Sequence, residues 1–234
     1  ALLRRLTAKR IDAQVTLGPM MAELLAELSG VPVERIRIIP GGIPDIGAAP
    51  ERHNYPPVIG VIGRLESQKA QDLLLKALPD VPEVKAVIVG EGELRPELER
   101  LAAELGVADR VTFTGWRDDA RELIKTFDLV INASYFEAQG TTIMEGMLAG
   151  VPVVATDVGG TADVIADGET GWLAQPGDAA DLARVIRNAL ADPEKLREVG
   201  RRAREVALER YTAERMAAQF FALYKELAAE RADG

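Results

Sequence analysis

The chain has 234 residues and a formal net charge of −9, so it lacks the basic surface that a nucleic-acid-binding protein needs. It has no cysteine and a single histidine, His53, which excludes disulfides, Cys-based zinc sites and thiolate nucleophiles and nearly excludes a Ser-His-Asp triad. No apolar run approaches the roughly 18 residues that span a bilayer, and no signal peptide is visible. We therefore expect a cytoplasmic protein, with a peripheral membrane contact through the N-terminal basic residues as the alternative. Those residues are Arg4, Arg5, Lys9 and Arg10.

The first predicted elements form a short N-terminal unit. The pattern predicts a strand over residues 13–17, a helix over 20–28 and a strand over 35–39. Three elements cannot close a core alone, so we expect them to pack on the main domain, a second copy or a missing N-terminal domain. A stretch rich in proline and glycine follows, which divides the chain into residues 1–44, a linker over 45–56 and a main domain over 57–234.

The main domain alternates between two kinds of pattern. Near-continuous apolar runs predict buried strands at residues 58–62, 86–89, 128–131 and 151–155. Residues 111–117 are predicted to form a short strand followed by a loop. Helical patterns lie at residues 68–78, 94–105, 120–127 and 142–149. This alternation predicts an α/β fold with a doubly wound, Rossmann-like parallel sheet. Apolar stripes over residues 182–190 and 216–227 predict additional C-terminal helices, the last of them capped by Thr212.

A basic loop follows the first strand of the main domain. Gly63 ends this strand, and Arg64 and Lys69 come directly after it, at the edge where open α/β sheets bind ligands. If Ser67 caps the next helix, Lys69 lies in its first turn, where a cation is unfavourable unless an anion is nearby. A diphosphate would suit both cations, but two solvated surface charges explain the residues equally well.

Two further loops follow strands along the same edge. Gly90 begins a Gly-x-Gly turn without the third glycine of a dinucleotide motif, which argues against a nicotinamide cofactor and favours a tight turn over phosphate contact. Trp116 could stack on a base, or Arg117 could present its backbone to a base edge. From the residues alone, an ordinary loop with Trp116 half-buried is the favoured interpretation.

The segment from Glu137 to Glu145 has the most specific pattern. Seven residues separate the two carboxylates, and Gly140, Thr141 and Thr142 lie between them at the predicted start of a helix. Free N–H groups at such a start would receive phosphate oxygens, while Glu137 could accept from sugar hydroxyls and Glu145 from both ribose hydroxyls. Spacing alone modestly favours the alternatives, a capping box of Thr142 with Glu145 and a plain loop acid at Glu137.

A glycine pair and a missing motif complete the sequence evidence. Gly159 and Gly160 follow the last strong strand, where they permit either close backbone approach to a ligand or a turn that needs positive φ. No Asp-x-Asp motif is present, so the sequence does not support a metal-dependent diphosphate site. We expect neither a metal nor a cofactor.

From about Arg35 onward, the order of these segments resembles the family 4 retaining glycosyltransferases, which have the two-domain GT-B fold. The matching stretches are GRLESQKAQDLLLKAL, VIVGEGELRPELERLAAELGV, RVTFTGW, EAQGTTIMEGMLAGVPVVATDVGGTADVI and GETGWL. The resemblance implies that Arg64 and Lys69 hold the donor diphosphate and stabilise its developing charge, without a metal. It also implies that Glu137 contacts the donor sugar and Glu145 the ribose. The donor-site residues implied are Gly63, Arg64, Lys69, Gly90, Trp116, Arg117, Glu137, Gly140, Thr141, Thr142 and Glu145.

The chain departs from the family pattern in several places. Ala70 replaces the glycine that usually follows the lysine, Gly41 replaces an asparagine in the linker turn, and residues 139–142 replace a Phe-Gly-Leu run. Nearly all of the acceptor-binding domain is missing, and residues 1–44 resemble its last elements. The resemblance therefore implies the nucleotide-sugar-binding half of a retaining glycosyltransferase that uses a UDP- or GDP-sugar. The alternatives are an inactive binding or structural module and, less favoured, a GT-B epimerase.

Overall fold

The computed structural model describes residues 11–51 and 54–232. His53 and the four N-terminal basic residues lie outside these ranges. The strands are β1 (Gln14–Thr16), β2 (Ile36–Ile38), β3 (Val58–Ile62), β4 (Lys85–Val89), β5 (Val111–Gly115), β6 (Leu129–Asn132), β7 (Val153–Thr156) and β8 (Trp172–Ala174). The α-helices are α1 (Pro19–Ser29), α2 (Gln71–Ala77), α3 (Arg95–Glu104), α4 (Ala120–Ile124), α5 (Thr141–Ala149), α6 (Thr161–Val164), α7 (Ala179–Ala191), α8 (Pro193–Arg210) and α9 (Ala213–Ala232).

Six of the strands form one parallel sheet in the order β5-β4-β3-β6-β7-β8. All four residues of β6 and of β7 are buried, as expected for strands covered on both faces. The chain winds outward in one direction from β3 and in the other from β6. These two strands lie side by side, so their carboxyl ends form the switch point where doubly wound sheets bind ligands. The predicted fold class is confirmed.

Helices cover both faces of this sheet. On one face, α2, α3 and α7 pack against the sheet through apolar residues such as Leu74, Leu98 and Ile186. On the other face, α4, α5 and α8 form a second cluster that includes Ile143 and Ala203. Each residue of α5 from 143 to 149 is buried, Glu145 included. This burial fixes the start of α5 at the carboxyl edge of the sheet.

The N-terminal unit contains the predicted strand, helix and strand. Its two strands pair in parallel, separately from the main sheet, and α1 has no buried residue. Arg37 pairs with Glu226, and Asp12 pairs with Arg231, so the unit contacts α9. An apolar groove of about 500 Å³ lies between α1 and the Met216–Phe220 side of α9. The assignment of residues 1–44 to an acceptor domain stays a prediction, as do packing on a second copy and packing on a missing domain.

The structure corrects several predicted boundaries. The helix expected at residue 68 begins at Gln71, because Ser67–Lys69 form a separate 3-10 turn and Ala70 adopts a left-handed conformation with φ of 47°. The helix expected to reach residue 127 ends at Ile124. The predicted cap of the last helix is confirmed, since the Arg215 backbone N–H donates to the Thr212 hydroxyl. In its predicted apolar stripe Leu223 is buried, Tyr224 is exposed, and the other members are partly buried.

None of the helices in the described part of the chain combines the length and apolarity needed to cross a bilayer.

Candidate functional site

A cleft of about 330 Å³ opens at the carboxyl edge of the sheet, above the junction of β3 and β6. We call it the edge cleft. Two loops border it, one that follows β3 and one that follows β6. They are tied to each other, because the Tyr135 backbone N–H donates to the Gln68 carbonyl (2.9 Å) and the Gln68 side chain donates to the Phe136 carbonyl (3.0 Å). Its lining includes Gly41, Gly42, Lys69, Glu137, Gln139, Gly140, Thr141, Thr142 and Met216.

Lys69 enters the edge cleft from the loop after β3. Ser67 makes no side-chain cap bond, and Lys69 lies before α2 rather than in its first turn, so the predicted conflict with the dipole of that helix is wrong. The left-handed conformation of Ala70 separates the turn from the helix. The Lys69 Nζ atom donates to Glu137 Oε1 at 2.5 Å. The cation is therefore held against a carboxylate of the opposite loop.

Glu137 is a buried carboxylate with several donors. Only 7% of the residue is exposed, and its Oε1 atom accepts from Ser134 Oγ (2.8 Å) and Asn132 Nδ2 (3.4 Å) in addition to Lys69. Buried charges persist when they are paired and hydrogen-bonded, and this one meets both conditions. The interpretation of Glu137 as a plain loop acid is wrong.

The glycine pair after β7 supports the Glu137 loop. The Gly160 N–H donates to the Glu137 carbonyl at 2.9 Å. Added Cβ atoms at Gly159 and Gly160 would overlap the carbonyl oxygens of Glu137 and Ala138. Gly159 also has a φ of 55°. The close backbone approach expected here is thus made to the Glu137 loop, and the positive φ of the alternative interpretation occurs as well.

The N-terminus of α5 forms the floor of the edge cleft. Gly140 precedes the helix with a φ of 77°, and no side chain caps it. Within the described residues, the backbone N–H groups of Thr141 and Thr142 find no acceptor, while the Thr142 hydroxyl donates to the Ile62 carbonyl of β3 (3.1 Å). Open N–H groups at a helix start form an anion-binding arrangement.

Glu145 lies one turn further along α5 and does not form the predicted capping box. Its Oε1 atom instead accepts from Arg121 Nε on α4, at 2.7 Å. Burial raises the pKa of the Glu145 carboxyl, and the hydrogen bond and charge of Arg121 oppose that rise. Sequence reasoning missed Arg121. The available signal was a cation on the helix directly after the Trp116 loop, 24 positions before Glu145.

The remaining predicted residues lie along the same edge, outside the lining of the cleft. Arg64 is exposed and pairs with Glu66 (2.7 Å). Trp116 is 73% exposed, so the half-buried tryptophan that the sequence favoured is wrong, and its Nε1 donates to Asp118. Arg117 pairs with Asp119.

Gly90, in the loop after β4, lies against the loops on both sides of it. Its N–H donates to the Gly115 carbonyl, and a Cβ on Gly90 would overlap the Gly63 carbonyl oxygen. Gly90 therefore serves close backbone packing.

Gln139 is not among the predicted donor-site residues, although the resemblance implies that residues 139–142 alter contacts to the sugar. It is buried, and its Oε1 atom accepts the Gly41 backbone N–H at 2.8 Å. The linker turn and the Glu137 loop are thereby joined. The departure of residues 139–142 from the family pattern was the visible signal. Within residues 11–51 and 54–232, no group of three or more His, Asp or Glu side chains is arranged to hold a metal ion.

A doubly wound parallel sheet with an open helix start at its switch point is a Rossmann-like fold, and comparison with known proteins identifies the family. The chain matches the family model described as glycosyl transferases group 1 over residues 45–206. The chain belongs to this family.

Individual relatives support the same membership. The lipopolysaccharide core biosynthesis glycosyltransferase LpsE of Rhizobium meliloti is 34% identical over 158 residues, 68% of this chain and 46% of the relative. The D-inositol 3-phosphate glycosyltransferase of Nocardia farcinica is 33% identical over 209 residues, 78% of this chain and 46% of the relative. The chain thus spans about half the length of the curated relatives it matches.

Solved structures share the fold closely. The crystal structure of Anabaena HepE in complex with UDP superposes with a TM-score of 0.88 at 26% identity, covering 94% of this chain and 65% of HepE. The complex of HepE with UDP-glucose gives a TM-score of 0.84 at the same 26% identity, covering 95% of this chain and 67% of HepE.

Proposed function

We propose that this chain is the nucleotide-sugar-binding half of a retaining, metal-independent glycosyltransferase and that its donor is a UDP-sugar. The observation that carries the proposal is the edge cleft, where the cation of Lys69, the buried carboxylate of Glu137 and the open N–H groups at the start of α5 face one space. The UDP and UDP-glucose complexes of the similar HepE support a uridine donor over a guanosine donor.

The edge cleft holds groups that suit both the diphosphate and the sugar of the donor. The diphosphate would take the N–H groups of Thr141 and Thr142 together with Lys69, while Arg64 approaches from the rim. Glu137 would accept from hydroxyls of the donor sugar, since its second oxygen is not used by the three donors on Oε1. As the bond from the sugar to the phosphate breaks, negative charge grows on the diphosphate oxygen, and these fixed donors stabilise it.

The remaining roles in this proposal follow the order of the loops. Glu145 would bind the ribose, and the backbone of the Trp116–Arg117 loop would contact the base. Gly63 and Gly90 would keep the edge narrow enough for the diphosphate to reach Lys69. Residues 1–44 would be the last part of an acceptor domain, and the acceptor itself stays open. The cytoplasmic location stays a prediction.

An inactive binding module is the other function considered. Nothing in the edge cleft favours it, because the paired charges and the open helix start are all present. A transfer or donor-hydrolysis assay distinguishes the two: turnover of a UDP-sugar above background, by the chain alone or with an added acceptor domain, contradicts the inactive module.

Calorimetric titration with UDP, GDP and ADP tests the proposal. We expect UDP to bind in the micromolar to millimolar range, with the same affinity in the presence of a chelator. Lys69→Met should weaken UDP binding by about tenfold or more, because a charge-assisted hydrogen bond contributes roughly 1.5–3 kcal/mol. Lys76→Met is the matched control, since Lys76 pairs with Asp72 on α2 and does not line the edge cleft. Equal binding by both variants, or no nucleotide binding at all, contradicts the proposal.

A further inference from the structure

Arg121 and Glu145 form an ion pair that no role in the proposed site accounts for. Arg121 lies on α4, which directly follows the Trp116 loop, and Glu145 lies on α5, whose first turn forms the floor of the edge cleft. The Arg121 Nε atom donates to Glu145 Oε1 at 2.7 Å. The Arg121 side chain is 47% exposed, whereas that of Glu145 is 10% exposed. The pair therefore joins a solvent-facing cation to a buried carboxylate beside the cleft.

From this geometry we infer that Arg121 is a positioning residue for the ribose of the nucleotide, holding the Glu145 carboxylate so that its Oε2 atom is left for the ribose hydroxyls. The inference rests on the proposed function and adds a residue to it. The Nε contact occupies one carboxylate oxygen only, and within the described residues the other oxygen has no partner. To accept from two ribose hydroxyls, the Glu145 carboxylate must be ionised and fixed in direction. The contact from Arg121 Nε favours the ionised form and also fixes the direction.

The other charged groups near α5 do not substitute for Arg121. Lys125, on the turn after α4, donates to the Ile46 carbonyl and pairs with Glu122. Arg204 of α8 pairs with Asp45 and contacts the Leu148 carbonyl. Arg121 is therefore the cation that faces Glu145 in the described part of the chain, and it opposes the effect of burial on the pKa of that carboxyl.

Within the described residues, the guanidinium of Arg121 is held through only one of its three nitrogens. Its Nε is used by Glu145, and within residues 11–51 and 54–232 the two terminal nitrogens make no further hydrogen bond. A guanidinium bound through Nε presents its remaining N–H groups outward in a fixed plane, and a lysine would not. The competing interpretation is a purely structural ion pair between α4 and α5. A purely structural pair predicts that the effect of Arg121 on nucleotide affinity does not depend on the ribose 2′-hydroxyl.

Titration with UDP and with 2′-deoxy-UDP separates the two interpretations. We expect the wild-type chain to bind UDP more tightly than 2′-deoxy-UDP. In Arg121→Ala this preference should shrink by about tenfold or more, the size of one charge-assisted hydrogen bond. Arg121→Lys should restore it in part, and Arg121→Ala should have no further effect in a Glu145→Gln background. Arg100→Ala is the control, since Arg100 forms an exposed pair with Glu104 on α3.

The possible failures are distinct. If the wild-type chain binds no UDP, the proposed function fails and the inference fails with it. If UDP binds but Arg121→Ala weakens UDP and 2′-deoxy-UDP equally, or weakens neither, only the role of Arg121 is overturned. Far-UV circular dichroism of each variant identifies a fold defect. If Arg121→Ala is misfolded, Arg121→Lys, which keeps the charge, is compared with wild type instead.

Discussion

Glu137 owes its fixed position to backbone packing as much as to its donors. Its carbonyl oxygen accepts the Gly160 N–H, and its backbone lies against Gly159 with no room for a side chain there. Position 159 requires glycine for two reasons, because a side chain would overlap the Glu137 backbone and because its φ is positive. The carboxylate of Glu137 is thus positioned by the glycine pair in the loop after β7.

Gly159→Ala tests this support at the scale of a single residue. We expect it to lower the free energy of unfolding by about 1–3 kcal/mol more than Gly106→Ala does, because overpacking adds to the strain of positive φ. Gly106 is a matched control, since its φ is 68° and a Cβ there would meet nothing within 4 Å. Urea unfolding of both variants measures the difference. Equal losses would mean that the Glu137 loop can move aside.

The pKa of Glu145 offers a second residue-scale prediction. Burial raises it, and Arg121 opposes that rise, so Arg121→Ala should raise the pKa of Glu145 further. A carboxyl whose folded pKa lies above its unfolded value contributes stability below the unfolded pKa and loses it as the pH rises through the folded pKa. The free energy of unfolding of Arg121→Ala should therefore fall, relative to wild type, as the pH rises above the ordinary range of glutamate. Carbon-13 NMR titration of the Glu145 carboxyl checks the direction of the shift, and an unchanged pKa would contradict it.

At the scale of elements, the residues at the start of helix α8 determine where the helix begins. Asp192 caps its start by accepting from the backbone N–H groups of Glu194 and Lys195, both at 3.0 Å, and Pro193 occupies the first helical position. An aspartate at the cap followed by a proline is a standard helix start. The helix then packs along α5 and covers one face of the sheet.

Removing this cap should have a measurable and repairable effect. Asp192→Ala should lower the free energy of unfolding by about 1 kcal/mol, because two donors lose their acceptor. Asp192→Asn keeps a capping oxygen and should restore most of the loss. Thermal unfolding of the three proteins measures it, and an alanine variant as stable as wild type would show that packing of α8 alone fixes its start.

Elements with strong local patterns were the ones that the sequence predicted well. The buried strands near β3, β4, β6 and β7 need only an apolar run, and the C-terminal helices α7 and α9 need only a periodic stripe. The predicted elements do not include α8. The short strand β8 and the single turn of α6 carry no comparable pattern, and β8 forms because β7 offers a pairing partner. The capping box at Thr142 was wrong because packing of α4 against α5 brings Arg121 to Glu145, and spacing within one helix cannot reveal such a contact.

At the scale of the whole molecule, the sheet and the N-terminal unit differ in how they are held. The strands β6 and β7 are fully buried, whereas β1 and β2 are three-residue strands beside a helix without a buried residue. Contacts to α9, among them the pair of Arg37 with Glu226, hold the unit. Local opening depends on buried contacts, so the two parts should open with different free energies.

Amide hydrogen exchange measures this difference directly. We expect the amides of β1 and β2 to exchange much faster than those of β3, β6 and β7, under conditions where the chain stays folded. A matched acceptor domain, added in trans, should slow exchange in β1 and β2 if residues 1–44 are its missing edge. Exchange as slow in β1 as in β6 would contradict the expected order.

The hydrogen bond from the Gly41 N–H to Gln139 is one of the contacts that join these two parts. Gly42 beside it lies against the Thr212 carbonyl and Met216, so the turn has no slack on its other side. A rotation of the N-terminal unit about this turn must therefore either break that bond or drag the side chain of Gln139 along. The backbone next to Gln139 is the start of α5. The orientation of the N-terminal unit and the position of the α5 start are therefore coupled through this bond. A phenylalanine at position 139 would remove the coupling, because its side chain has no oxygen to accept the Gly41 N–H.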